Sequence, residues 1–264
     1  MPPSTLTIAA TDALRKLAAK EPDIANLAAA LRLLAKWRAE LIANTLVTRS
    51  GTMVLSGPFQ GMNYGVRAAE GSASSRLLGV YEASLTPVIE EIIARGYPLV
   101  VDIGCAEGYY AVGLARRMPS SRILARDDSL KAQDLCRRLA RMNGVEDRVE
   151  VGGRMDHLDL AICAAQKTLI LCDIEGGEGD LLDHVAAPAL TRADILVECH
   201  DVMRPGLTDL LTDRFAASHR ILRIDRQIEA RLPGWMEELS DLDRLIALWE
   251  WRGGPTPWLW MQAK

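Results

Sequence analysis

The stretch Val100-Val101-Asp102-Ile103-Gly104-Cys105-Ala106-Glu107-Gly108 joins an apolar run to a chain of small residues. Pro98 to Ile103 predicts a strand buried on both faces, as in a parallel sheet. The glycines after it let the backbone turn tightly and approach a ligand closely. A helix expected over 108–118 then points its free N–H groups at that ligand. The small residues fall at 104, 106 and 108, a G-x-A-x-G spacing. A dinucleotide fingerprint has G-x-G-x-x-G and an acid about 20 residues on. Alanine is tolerated at the middle position provided that φ there is negative.

Outward from this loop, strands and helices alternate. Strands are expected at 122–125, 148–151, 168–173, 193–198, 221–224 and 258–261, and helices at 131–142, 158–165, 207–217 and 239–251. This alternation predicts an α/β fold, a Rossmann-like doubly wound, mostly parallel seven-stranded sheet. Ligands then bind beyond the carboxyl ends of its strands. Upstream, 9–46 reads as two Ala/Leu-rich helices, an appendage that must pack on the main domain or on a second subunit. Residues 50–75 are glycine-rich, with short strands at 53–55 and 62–64, and a helix over 74–95 carries a kink or break at Pro87. The expected division is 1–50 helical segment, 51–96 cover and linking helix, and 97–264 catalytic domain.

With 264 residues, 49% hydrophobic and 25% charged, the chain has material for a full core. A net charge of -4 argues against the phosphate-neutralising surface of a nucleic-acid partner. Five cysteines without a C-x-x-C spacing read as free thiols in a reducing compartment. No basic leader precedes an apolar run, and no run is apolar for long enough to span a bilayer. A cytoplasmic protein without membrane association is expected.

The loop with its preceding acid resembles motif I of class I S-adenosylmethionine-dependent methyltransferases, acid-x-Gly-x-Gly-x-Gly. The resemblance covers about residues 97–226 and implies a strand order beginning 3-2-1-4-5. It implies that Asp102, Gly104, Cys105, Ala106, Glu107 and Gly108 line the cofactor's methionine portion. Asp127 would then accept from both ribose hydroxyls, with Asp128 the competing acid. Arg154 and Met155 would cover the adenine. The fourth strand ends in Asp173-Ile174-Glu175-Gly176-Gly177-Glu178, which also resembles the Asp-x-Glu-Gly-x-Glu motif of the FkbM-type branch. No Asn/Asp-Pro-Pro-Tyr/Phe sequence stands there, which disfavours amino-methylation of bases or glutamine.

In that strand order Asp173, Glu175, Glu178, His200 and Asp201 converge near the transferred methyl. His200 is the first candidate for a general base, because imidazole titrates near working pH. Glu175 is the alternative, and Asp173 serves catalysis or the cofactor. Asp173, Glu175, His200 and Asp201 form an alternative divalent-metal set. The bland reading makes Asp173 and Asp201 helix caps and leaves Glu178 in solvent. Tyr64, Arg67, Tyr81 and Asp201 are candidate acceptor contacts, with Phe59 and Met62 in the same cover. His157, His184 and His219 read as surface or helix-end residues. Leu242, Leu245, Ile246 and Trp249 read as a core stripe, and Trp258 and Trp260 as core or subunit packing. The expected activity is methylation of a small molecule, on oxygen first and nitrogen second. The alternatives are another group transfer from the same cofactor and a silent cofactor-binding subunit. A homodimer through the N-terminal helices or the Trp-rich C-terminal segment is a further expectation.

Overall fold

A computed structural model describes residues 4–69, 71–227 and 232–264. Helices α1 (Thr5–Ala18) and α2 (Ile24–Ser50) form an N-terminal hairpin. Ser4 and Asp23 cap their N-termini through side-chain oxygens, as their types favour. The expected helix over 74–95 is two helices, α3 (Ala73–Leu78) and α4 (Thr86–Arg95). Left-handed Gly79 ends α3, and Pro87 stands in the first turn of α4, where its missing N–H costs nothing. The strands expected at 53–55 and 62–64 reduce to a single antiparallel bridge, Met53 with Asn63.

The remaining elements are β1 (Leu99–Ile103), α5 (Tyr109–Arg117), β2 (Arg122–Arg126), α6 (Leu130–Met142), β3 (Val149–Gly152), β4 (Thr168–Cys172), α7 (Glu178–Leu181), β5 (Asp194–Glu198), α8 (Leu207–Phe215), β6 (His219–Ile224), α9 (Asp241–Ala247) and β7 (Trp258–Ala263). Between β3 and β4 the expected helix is a 3₁₀ segment, Asp159–Ala164. One seven-stranded sheet has the order β3-β2-β1-β4-β5-β7-β6. The first five strands are parallel, and β7 is antiparallel to both of its neighbours.

Both faces of the sheet's centre are buried, at every position of β1, β4 and β5. Val100 and Leu171 belong to one core layer, with Leu114, Ile89 and Trp260. Leu99, Val101 and Ile103 belong to the other, with Leu207, Leu211 and Phe215. The period of two along β1 therefore sends apolar side chains to each side, and each Val, Leu or Ile so buried contributes about 1.5–3 kcal/mol. All five cysteines are free and buried, and Trp258 and Trp260 are core residues. His219 is buried in β6, where its Nε2 lies 2.9 Å from the Ala193 carbonyl; the surface reading of it was wrong. The stripe proposed for 242–249 also needs correction. Ile246 is buried, whereas Leu242 and Leu245 face solvent.

Strand order reverses between β1 and β4. The Asp173 N–H donates to the Ile103 carbonyl at 2.9 Å, and the Gly104 and Cys105 N–H groups donate to the Arg126 carbonyl at 2.8 and 3.0 Å. The loops after β1, β2 and β4 are thereby fastened side by side.

Candidate active site

A cleft of about 930 Å³ opens at the carboxyl ends of β1, β2, β4 and β5; Gly104 to Glu107 line it, whereas Gly108, expected there, is not among the lining residues. Gly104, Ala106 and Gly108 all have positive φ, at +82°, +48° and +92°. A Cβ on Gly104 would overlap the Asp173 carbonyl, and one on Gly108 would lie 2.6 Å from the Cys136 sulfur. Glycine at both places is therefore demanded by backbone and by space. The negative φ required for an untroubled Ala106 is not found. A left-handed alanine costs roughly 1–2 kcal/mol, partly offset because glycine has more entropy to lose on folding. Ala106→Gly is expected to raise the unfolding free energy by about 0.5–1 kcal/mol, read from the urea midpoint at unchanged slope. A midpoint that falls would contradict this.

Ala106 is held by its N–H, which donates to Asp127 Oδ2 at 2.9 Å, while Asp127 Oδ1 accepts from the Ser129 N–H at 2.8 Å. Each oxygen keeps a lone pair for a further donor, and Asp127 lines the cleft. Asp128 is exposed at the rim, Arg154 is exposed, and Met155 is buried in the wall. Asp102 is 1% exposed, and among the described residues neither of its carboxylate oxygens has a well-formed hydrogen bond, the Ala111 N–H alone favouring its charged form. Burial first, and the nearby Asp173 second, push its carboxyl up to about 8. Such an orphaned acid at a cleft fits a cationic ligand group.

The ends of β4 and β5 carry the second half of the site. His200 Nδ1 lies 2.7 Å from Glu178 Oε1, and Glu178 is fully buried. The same carboxylate accepts from the N–H groups of Ile174, at 3.0 Å, and Gly176, at 3.0 and 3.2 Å. An acceptor bound so firmly fixes the proton on Nδ1 and leaves Nε2 as the outward atom. His200 Nε2 stands 3.6 Å from Asp173 Oδ1 and 3.5 Å from Glu175 Oε2. Burial opposes the charged imidazole, yet the bond from Glu178 and the charge of Asp173 raise His200 above its ordinary value. Asp173 is raised to about 7, by burial and then by Glu82. One ligand atom each from Asp173, Glu175 and His200 lie within 4.8 Å of one another, a spacing suited to a metal ion.

A third group of charges closes the cleft. Arg252, after α9, donates from Nη2 to Glu82 and from Nη1 to Glu198 and Thr256, and from Nε to Glu250 at 3.0 Å. Glu250 also accepts from Arg226 Nε and from the Glu82 N–H, both at 2.9 Å. Arg76 pairs with the fully buried Glu107 at 2.8 Å. Among the described residues the non-glycine positions with positive φ are Glu82, Ala106, Glu175 and Trp251. Ala106, Glu175 and Trp251 line the cleft, and Glu82 braces Arg252, so backbone strain collects here as it does at functional sites.

Of the residues expected from sequence, Asp102, Gly104, Cys105, Ala106, Glu107, Asp127, Asp128, Arg154, Met155, Tyr81, Asp173, Glu175 and His200 line the cleft. The Glu107 carboxylate, however, is engaged by the cover: it accepts from the Tyr64 hydroxyl at 2.7 Å and from the Ala69 N–H at 2.8 Å. Tyr64 is buried behind it, and neither Tyr64 nor Arg67 is among the lining residues. Phe59 and Met62 are core. Asp201 is outside the cluster and caps α8, accepting from the Thr208 N–H at 3.2 Å and from its hydroxyl. The metal set therefore shrinks to three residues. Glu178, expected among the converging acids and left in solvent only by the bland reading, is buried against His200. Its place as the last acid of the Asp173–Glu178 motif, just after β4, was its local signal. Nothing local marked Arg252, whose partners Glu82 and Glu198 are 170 and 54 residues away.

No protein-family model matches the chain. Over 73 residues it is 36% identical to the release factor glutamine methyltransferase of Chlorobaculum tepidum, a match covering 26% of this chain. The chain spans about a quarter of that relative's length, 25%. Among solved structures it is similar to a putative O-methyltransferase from Klebsiella pneumoniae, at 15% identity and a TM-score of 0.47, covering 84% of this chain and 97% of that one. It is similar also to an O-methyltransferase from Bacillus cereus in complex with SAH, at 16% identity and a TM-score of 0.46, covering 86% and 90%. A tRNA methyltransferase of Bacillus subtilis is similar at 10% identity and a TM-score of 0.44, covering 67% and 64%. The order β3-β2-β1-β4-β5 in this chain is the one that the resemblance of the 102–108 loop implied.

Proposed function

We propose that this chain, a class I methyltransferase by fold, binds S-adenosylmethionine and methylates a hydroxyl of a small molecule, with His200 as general base. The observation that carries the reading is the buried Glu178–His200 pair, which presents Nε2 to the cleft beside Asp173 and Glu175. When bound, the cofactor supplies a methyl group on a sulfonium, open to in-line displacement. Asp102 is the partner for its ammonium, Asp127 for its ribose hydroxyls, and the 104–108 backbone leaves room for its carbon chain. His200 Nε2 accepts the acceptor's proton near the transition state, and Glu175 and Asp173 orient the hydroxyl. The small-molecule reading is supported by a cleft whose lining carries ten acids against six bases, an excess that disfavours a phosphate backbone. A second reading has Asp173, Glu175 and His200 holding a divalent cation that acidifies the hydroxyl.

The test is turnover with a panel of hydroxylated and amino acceptors. S-adenosylhomocysteine release supports methyl transfer, and methylthioadenosine supports another group transfer. Loss of turnover in chelator favours the cation over His200 as base. Absence of cofactor binding by calorimetry overturns the whole reading.

Asp102 makes the binding step proton-linked. Its neutral carboxyl contributes stability that is complete below about pH 4 and is lost as pH rises through about 8. An ammonium placed against it favours the carboxylate. Cofactor binding at pH 7 is therefore expected to release about one proton. The observed binding enthalpy should then vary with the ionisation enthalpy of the buffer. An enthalpy independent of buffer would remove Asp102 from this role.

A further inference from the structure

The outer part of the N-terminal hairpin, α1 with residues 24–35 of α2, stands away from the core, which Ala39, Ile42 and Leu46 of α2 join. None of the residues of α1 is buried, and burial on α2 begins only at Ala39. The hairpin is held to itself, with Trp37 Nε1 donating to the Thr7 hydroxyl at 3.3 Å. Yet Ile24 to Ala35 is apolar at every position except Asn26 and Arg32. Ile24 is 88% exposed, and Leu27 and Leu31 are each 70% exposed. Leu34 continues the row, and Ile8 of α1 is also exposed. A helix apolar nearly all round belongs in an interior or an interface.

The spacing 24, 27, 31, 34 is the alternating three-and-four step of a coiled-coil seam, whose complement is another such seam. We propose that this arm is the interface with a second copy of this chain, the 24–27–31–34 rows of the two copies packing across a two-fold axis. Size agrees. Two adjacent helices about 10–12 Å wide and about 20 Å long on each copy bury on the order of 1,000 Å² together, the lower range for a specific interface. Charge agrees as well. Residues 5–35 carry four basic side chains (Arg15, Lys16, Lys20, Arg32) and three acidic ones (Asp12, Glu21, Asp23). A helix that lies on a lipid surface has a polar face rich in Lys and Arg, which this arm lacks. The interface also adjoins the cleft. Lys36 Nζ stands 4.7 Å from the centre of the Trp251 ring, and both residues line the cleft mouth. Pairing of the arms would hold α2, and with it this edge of the cleft, in place.

Light scattering on the full-length protein across a dilution series is expected to give twice the chain mass. The double variant Leu27→Glu, Leu31→Glu is expected to give the single mass with unchanged far-ultraviolet circular dichroism. A wild-type protein of single mass throughout the series overturns the proposal, as does a well-folded double variant that keeps twice the mass. If that variant does not fold, Leu31→Cys serves instead. Near a two-fold axis it should cross-link to its own copy on oxidation, the native thiols being buried. Absence of cross-linked dimer overturns the proposal. So does a single-mass wild type that cosediments with phosphatidylcholine–phosphatidylserine vesicles, which would identify the arm as a lipid anchor.

Discussion

Arg252→Ala is expected to lower the unfolding free energy by about 3–5 kcal/mol at pH 8, the usual cost of removing one partner from a buried ion cluster. Arg252 is the common donor to Glu82, Glu198 and Glu250, each of whose side chains is at most 3% exposed. Without it, Glu198 loses the cation at its Oε1, and Glu82 keeps only the Tyr110 hydroxyl and residual charges nearby. Arg226 still holds Glu250. Burial and then Glu82 already push Glu250 up to about 7. A carboxyl raised in this way contributes stability that is complete below about pH 4 and is lost as pH rises through about 7. Removal of Arg252 takes away a cation 3.0 Å from Glu250 and raises that carboxyl further, so the variant regains part of its deficit as pH falls from 8 to 6. Arg252→Lys keeps the charge but not the planar fork that reaches three carboxylates, and it should fall between wild type and alanine. Urea unfolding at the two pH values decides the matter. A deficit below about 1 kcal/mol at pH 8 would mean that the cluster is solvated in solution.

Once an acceptor is known, His200→Ala is expected to lower kcat by about 10²–10⁴-fold, the range for loss of a positioned general base. Glu178→Gln should lower it at least about tenfold while leaving the His200 ring present. The amide nitrogen of glutamine would face the Gly176 N–H, which now donates to Glu178 Oε2 at 3.0 Å, and two donors cannot satisfy each other. The sign of the pH effect separates a positioning role from a structural one. Glu178 raises His200, and catalysis by a base needs the neutral ring. Activity therefore climbs as pH rises through the His200 value, and this limb should move to lower pH in Glu178→Gln. Cofactor affinity should stay as in wild type for both variants. A His200→Ala protein with undiminished turnover would remove His200 as the base. A Glu178→Gln limb that stays in place would leave Glu178 a structural residue.

The fold was legible because its signals are local and periodic. Val100-Val101 and its counterparts in β2, β4 and β5 are short apolar runs, and the period of two buries both faces of each strand. The loop at 104–108 was legible for the same reason: its three small residues and the acid before them lie within seven positions. What failed locally was the interval from 74 to 95. There a left-handed glycine and a strained Glu82 break an otherwise helical pattern. Residues 239–251 failed because the helical period held but the face was wrong, leaving Leu242 and Leu245 in solvent.

The site divides along the same line. Sequence by itself placed Asp102, Asp127, Asp173 and His200 at strand ends, since strand ends follow from the apolar runs. Only the tertiary structure decided what those side chains meet. It turned Glu178 inward to His200, turned Asp201 away to cap α8, and spent Glu107 on the cover. It also set Arg252 against Glu82 and Glu198, 170 and 54 residues away, beside its near neighbour Glu250. A hydrogen bond between side chains 22 or 170 residues apart leaves no period and no spacing to read. The same holds for the loop first quoted. Its letters permit Ala106, but its positive φ goes with a bond from its N–H to the Asp127 carboxylate, a contact between two loops that exists only once β1 and β2 lie side by side.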